Sequence, residues 1–300
     1  MDALRGYARL LRVPLFVTAI SDVVAGYAVA LIGSGRITDF DGRTVLILAC
    51  ISAGLYLFGM VENDLVDLRR DRRMNLPRPL VTGEVGRTGA WLLLVAAAAL
   101  AIFGVSRLTG SAVLLAIGTF GAINLYNLGA KQGPAYIAMT VMGLCRLLNY
   151  GIGVAAAVGA PHHRADWNLL MPWGPLWVRH GLVLFCATAV ISGYSIAARR
   201  KLVMSSRPWQ MVAVVSFVAG FGTWILMYTR LIADFMPPLA RVFAAVILAG
   251  LWPGRLWSGA GPRRTPDEYA PFIERALYWL IFLDAAFVLD ALLTRARIGF

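Results

Sequence analysis

The residues best suited to chemistry in this chain lie in one short run, Asn63-Asp64-Leu65-Val66-Asp67-Leu68-Arg69-Arg70-Asp71. On a helix, Asp64, Asp67 and Asp71 recur at i, i+3 and i+7, and Asn63 precedes Asp67 by four, so the four side chains share one face. Carboxylates packed this closely repel one another unless a cation lies between them. Hard oxygen donors of this kind suit Mg²⁺, which keeps several waters and takes one or two carboxylates together with substrate phosphates. Arg69, Arg70, Arg72, Arg73 and Arg78 flank the run, and guanidinium groups are well matched to a diphosphate. The competing reading is a solvated, mixed-charge loop whose arginines only set membrane topology.

The elements that position this run are apolar segments. Of the 300 residues, 59% are hydrophobic and 15% charged, with a mean hydropathy of +0.70, whereas a soluble domain carries about 25% charged residues. The apolar spans fall at about 14–33, 45–62, 88–106, 111–130, 135–159, 179–198, 209–230, 236–252 and 272–293. A helix needs roughly 20 apolar residues to cross the hydrocarbon layer. The pattern predicts an all-α polytopic membrane bundle of about nine transmembrane helices, forming a single domain over 1–300. It excludes a membrane β-barrel, whose strands are short and alternating. Asn63–Asp71 then falls on the helix that ends the second span. Gly54, Gly59, Gly143, Gly151 and Gly153 suit close helix packing in lipid. The first apolar run reads as a retained helix, since no small-residue cleavage site closes it.

A net charge of +12 raises the question of nucleic acid. When sides are assigned alternately with the N-terminus inside, Lys and Arg fall about two to one on the inner side. The charge is therefore topological, the partner is the lipid bilayer, and no nucleic acid is expected. The N-terminus and the acidic run are placed on the cytoplasmic face, in a multi-pass protein of a bacterial inner membrane. Cys50, Cys145 and Cys186 have no metal-ligand spacing. His162, His163 and His180 are scattered and read as surface residues.

Ionisable groups inside spans are costly and mark function by default. Arg146 and Asn149 share a face of the fifth span, and Asn124 and Asn127 a face of the fourth, beside Tyr126. Asp22 lies in the first span, Asp284 and Asp290 in the last. One reading is internal pairing, Asp22 or Asp284 against Arg146. The other gathers Asp22, Asn124, Arg146 and Asn149, with Tyr126 and Tyr194, around a substrate.

Asn63-Asp64-x-x-Asp67-x-x-x-Asp71, followed by Arg78-Pro79-Leu80-Val81-Thr82-Gly83, resembles the first signature of the UbiA-type intramembrane prenyltransferases. Arg12-Val13-Pro14 resembles the Arg-Pro that opens the family's first helix. Tyr126 with Lys131 resembles its Tyr-x-x-x-Lys element, one residue longer here. The resemblance implies nine helices with the polar loops cytoplasmic, and a Mg²⁺-dependent enzyme moving an isoprenyl group from a prenyl diphosphate to an acceptor. It implies that Asn63, Asp64, Asp67 and Asp71 hold Mg²⁺, the three aspartates being catalytic, while Lys131, Arg72 and Arg78 bind the diphosphate.

The family's second Asp-rich motif follows its sixth helix. At that place this chain reads Gly193-Tyr194-Ser195-Ile196-Ala197-Ala198-Arg199-Arg200-Lys201, without a carboxylate. Arg199, Arg200 and Lys201 would then contact the diphosphate oxygens directly, as an electrostatic substitute. This pattern, with Thr18–Tyr27 and Met142–Asn149, is similar to the EboC-like branch. The alternative is a non-catalytic UbiA-like protein that binds or helps export an isoprenoid or related intermediate. A secondary transporter with Asp22, Arg146 and Asp284 as its relay would show paired broken helices in two related halves, a symmetry this sequence lacks. The acceptor, the prenyl length and the oligomeric state stay open.

Overall fold

The computed structural model describes residues 2–159, 180, 181, 183–185, 187–189, 191–193, 273, 277, 278, 280–289, 291 and 292. Residues 2–159 form α1 (Asp2–Leu11), α2 (Val13–Gly33), α3 (Gly42–Arg73), α4 (Pro79–Thr82), α5 (Arg87–Val105), α6 (Ser111–Leu125) and α7 (Ala135–Val158). Between α6 and α7 lies one π-helical turn, Tyr126–Ala130. No strand occurs among the described residues. Among the described residues, five helices are long and apolar enough to cross a membrane: α2, α3, α5, α7, and α6 continued through the π turn. The chain is thus an integral, multi-pass membrane protein. Of the later expected spans, 179–198 and 272–293 are described in part, and 209–230 and 236–252 lie outside the described residues.

Local sequence sets the helix ends. Arg12 adopts φ +47, a left-handed conformation, and Pro14 opens α2 immediately after it. This turns the surface helix α1 away from the membrane-crossing α2. A non-glycine residue in that region costs about 1 kcal/mol, so its neighbours must hold it. They do so through α1: Leu10 is fully buried against Leu68, Leu80 and Val85, and Arg9 pairs with Glu84 at 2.8 Å. Asp41 caps α3 by accepting from Arg43 N at 3.1 Å and Thr44 N at 2.9 Å.

α3 has 32 residues, and at about 1.5 Å per residue it is about 48 Å long, well beyond the roughly 30 Å of hydrocarbon. Its last turns, which carry Asn63–Asp71, therefore run on past the apolar layer. The following chain folds back over them. Gly83, at φ +80, ends α4 in a conformation that favours glycine, and Leu80 is pinned in the apolar cluster beneath the rim.

Small residues let the long helices touch. A Cβ on Gly153 would meet the Val23 carbonyl, and one on Gly26 the Tyr150 carbonyl, so α2 and α7 pack backbone to backbone. A Cβ on Gly54 would lie 2.6 Å from Ala101 N, which joins α3 to α5 in the same way. His180, read from sequence as a surface residue, is buried and stacks on Phe287 with ring centroids 4.1 Å apart. Its ring sits in a packed contact between the 180–193 and 273–292 segments because an imidazole face packs like an aromatic one. His162 and His163 lie outside the described residues.

Candidate functional site

At the end of α3 the acidic run divides by face. Asn63, Asp64, Asp67 and Asp71 are buried, whereas Val66, Arg69, Arg70, Arg72 and Arg73 are exposed. This is the reverse of an ordinary surface turn, and buried carboxylates require partners. Lys131 supplies the deepest one: its Nζ lies 2.9 Å from Asp67 Oδ1 and donates to Asn63 Oδ1 at 3.1 Å. Asn63 Nδ2 donates in turn to Asp64 Oδ1 at 3.1 Å. Arg70 bridges Asp67 Oδ2 at 2.9 Å and Asp71 Oδ1 at 3.3 Å. Arg12 stands 3.7 Å from Asp64, and Arg78 stands 4.0 Å from Asp64 and 3.9 Å from Asp71. These last separations exceed hydrogen-bond length, and both guanidinium groups are about one-third exposed.

The π turn explains how Lys131 arrives there. Lys131 N bonds to Tyr126 O at 3.1 Å, an i to i+5 link that takes up one extra residue in the helix. The Tyr126-to-Lys131 spacing is thus accommodated, with Tyr126 and Lys131 both buried. Asn127 turns the other way, donating to Gly59 O at 3.0 Å and Glu62 Oε2 at 2.8 Å, and so ties the π turn to α3.

A cavity of about 200 Å³ runs inward from this rim. Arg12, Asn63, Tyr126 and Asn127 line its mouth, Leu15, Leu55, Met60 and Ile123 its walls, and Arg146, Asn149 and Ser52 its deeper part. Arg146 is the centre of a second cluster. Its Nη1 pairs with Asp22 and donates to Thr18 O at 2.8 Å, while Nη2 donates to Thr18 Oγ1 at 2.6 Å. Asn149 Nδ2 donates to Ala19 O at 2.7 Å. Behind them, Ser21 Oγ donates to Asp284 Oδ2, and the Asp22 and Asp284 carboxyls are within hydrogen-bonding reach of each other.

The structure therefore brings Asn63, Asp64, Asp67, Asp71, Arg78 and Lys131 together at the rim. It places Tyr126, Arg146 and Asn149 on the cavity wall, with Asp22 behind Arg146. Asn124 bonds back to Phe120 O at 2.8 Å and does not line the cavity. Arg72 points to the exposed side of α3, and Arg70 occupies the position facing the aspartates. Tyr194, Arg199, Arg200 and Lys201 lie outside the described residues. Arg70 was legible as the i+3 partner of Asp67. Asn127 was not, because the π turn decides which asparagine of the pair faces α3.

Among the described residues, no three His, Cys, Asp or Glu side chains converge on one point, since each aspartate of the run turns to a basic neighbour. The donor set still fits Mg²⁺: Asp64 Oδ2 and Asp71 Oδ2 accept no hydrogen bond among the described residues, and Mg²⁺ takes only one or two carboxylates beside phosphate and water.

No protein-family model and no curated protein sequence matches the chain. Solved structures do. A UbiA homolog from Aeropyrum pernix K1 superimposes with a TM-score of 0.66 at 20% identity, covering 91% of this chain and 97% of its own. A digeranylgeranylglyceryl phosphate synthase gives 0.62 at 18% identity, covering 97% and 99%. A UbiA homolog from Archaeoglobus fulgidus bound to GPP and Mg²⁺ gives 0.61 at 18%, covering 96% and 99%. The chain has the fold of the UbiA-type intramembrane prenyltransferase superfamily.

Proposed function

We propose that the protein is a membrane prenyltransferase that moves an isoprenyl group from a prenyl diphosphate to an acceptor. The observation that carries this is the joining of two parts: an oxygen-rich, base-lined rim, and an apolar cavity that opens from it. A prenyl diphosphate has the same two parts in the same order. The Archaeoglobus fulgidus homologs, bound to GPP or to DMAPP with Mg²⁺, support the reading.

Asn63, Asp64, Asp67 and Asp71 would hold Mg²⁺, which when bound would neutralise charge on the diphosphate. Lys131, Arg78 and Arg12 would bind its oxygens, with Arg70 holding Asp67 and Asp71 in place. The donor's C1–O bond breaks, the diphosphate keeps the electron pair, and the allylic carbon is attacked by an electron-rich atom of the acceptor. The attacking group then gives up its proton to diphosphate or water. The apolar wall keeps water from the cation. In this reading the rim faces the cytoplasm and residues 1–300 form one domain.

One observation favours a binding protein without turnover: Asp67 is already held at both oxygens, by Lys131 and Arg70. Purified protein given Mg²⁺ and labelled prenyl diphosphates separates the two. An enzyme releases diphosphate, and Asp64→Ala with Asp67→Ala abolishes the release. Mg²⁺-dependent binding with no release at any chain length or acceptor would establish the binding protein instead.

A further inference from the structure

The transfer reading uses the rim of the cavity and leaves its inner end without a task. Ser52 lines that end and Thr188 lines the same cavity nearer the rim, beside Ala189 in the cluster with Tyr126 and Met139; they are 1% and 3% exposed, and their hydroxyls have no hydrogen-bond partner among the described residues. Helical serines and threonines commonly return the hydroxyl to a carbonyl one turn back, as Thr18, Thr119 and Thr140 do here. Ser52 and Thr188 forgo that bond although a buried, unpaired hydroxyl is costly. Arg146 borders the same end, and its Nε–H has no partner among the described residues. Asn149 spends one amide N–H on Ala19 O, and its amide oxygen accepts no hydrogen bond among them.

This is an end rich in hydrogen-bonding groups with no surplus positive charge. The ion pair with Asp22 already cancels the charge on Arg146, and the Asp284 carboxyl stands behind it. An anion placed here would compete with Asp22 for a guanidinium inside the membrane, where an unpaired carboxylate is expensive. A hydroxyl group, by contrast, both donates and accepts, and matches the unpaired Ser52 hydroxyl, one N–H and one amide oxygen.

We propose that this inner end anchors the remote end of the acceptor, and that it selects an uncharged hydroxyl-bearing group over a carboxylate or phosphate. The proposal rests on the transfer reading for the word acceptor, but the selectivity is a property of the wall itself. Ser52 precedes Asn63 by eleven residues on α3, about 16 Å along the axis at about 1.5 Å per residue. A molecule anchored at Ser52 can therefore present its other end toward the rim.

The test uses two molecules of closely similar shape that differ only in that group, benzyl alcohol and benzoate, titrated calorimetrically into the full chain in lipid nanodiscs. The alcohol is expected to bind about tenfold more tightly than the carboxylate. Ser52→Ala, which deletes a hydroxyl with little change of shape, is expected to weaken the alcohol about fivefold and to leave the carboxylate unchanged, whereas Thr188→Val, nearer the rim, is expected to change neither. Asp22→Asn, which frees the charge on Arg146, is expected to narrow the gap. Tighter binding of the carboxylate, insensitivity of the alcohol to the Ser52 deletion, or binding of neither molecule overturns the proposal. Diphosphate release is measured on the same preparation. Its absence with the preference intact overturns the transfer reading alone, and its presence without the preference overturns the subsite alone.

Discussion

The rim and the deep cluster are both built from carboxylates and cations, but on opposite plans. At the rim, Arg12, Arg70 and Arg78 are between 32% and 47% exposed, and Arg12 and Arg78 stand 3.7 Å or more from Asp64 and Asp71. Such cations are hydrated and can exchange one anion for another at little cost. In the deep cluster, Arg146 is 9% exposed and Asp22 is fully buried, and the guanidinium is closed in by Thr18 on two sides. An ion pair of that kind is expensive to break and gains little from a new partner. The same residue types thus serve exchange at one end of a cavity and fixture at the other.

The largest effect expected from this contrast is on stability. Arg146→Leu leaves Asp22 without its cation and is expected to cost about 3–5 kcal/mol, read as a lower thermal unfolding midpoint in nanodiscs. Adding Asp22→Leu removes the stranded carboxylate and is expected to recover most of the loss. If the single variant unfolds like the parent chain, the deep cluster is not a fixture and the contrast fails.

The rim should respond in the opposite way. Arg78→Met removes a one-third-exposed cation that stands 4.0 Å from Asp64 and 3.9 Å from Asp71, so the unfolding midpoint is expected to stay close to that of the parent. Diphosphate release is expected to fall about a hundredfold, the usual scale for one lost electrostatic contact to a transferring group. A large fall in stability with unchanged release would make Arg78 a fixture and reverse the comparison.

How far the sequence led differs between these regions for physical reasons. The four oxygen side chains on one face of α3 were legible because a helix has a fixed period, and α3 is one unbroken helix through Arg73. The paired reading of Asp22 and Arg146 was legible as a possibility, since a buried charge needs a partner. Asp284 offered the same charge, so the choice waited for the α2–α7 contact made by Gly26 and Gly153. Asn124 against Asn127 was not decidable by period, because one π turn shifts the face. Ser52 and Thr188 were silent, since a hydroxyl in an apolar span is ordinarily bonded to its own helix and only a structure shows that it is not.

The smallest effect tests whether distance from the rim site matters on α3 itself. Asp41 caps the opposite end of that helix, and its hydrogen bonds from Thr44 and Arg43 hold its carboxyl below the ordinary value of 3.8. A carboxyl depressed in the folded state adds stability that is present above its unfolded value and is lost as pH falls through its folded one. Asp41→Asn mimics the uncharged form at every pH while keeping an oxygen that can cap. The parent is therefore expected to melt slightly above the variant at neutral pH, with the gap closing as pH falls below about 3.8. Because Asp41 is fully solvated, the gap should be small, and salt should shrink it further. Diphosphate release at neutral pH should be the same in both. A change in release would mean that the cap is felt along roughly 33–45 Å of α3, and that the rim site depends on how the whole helix is held as well as on the partners around Asn63–Asp71.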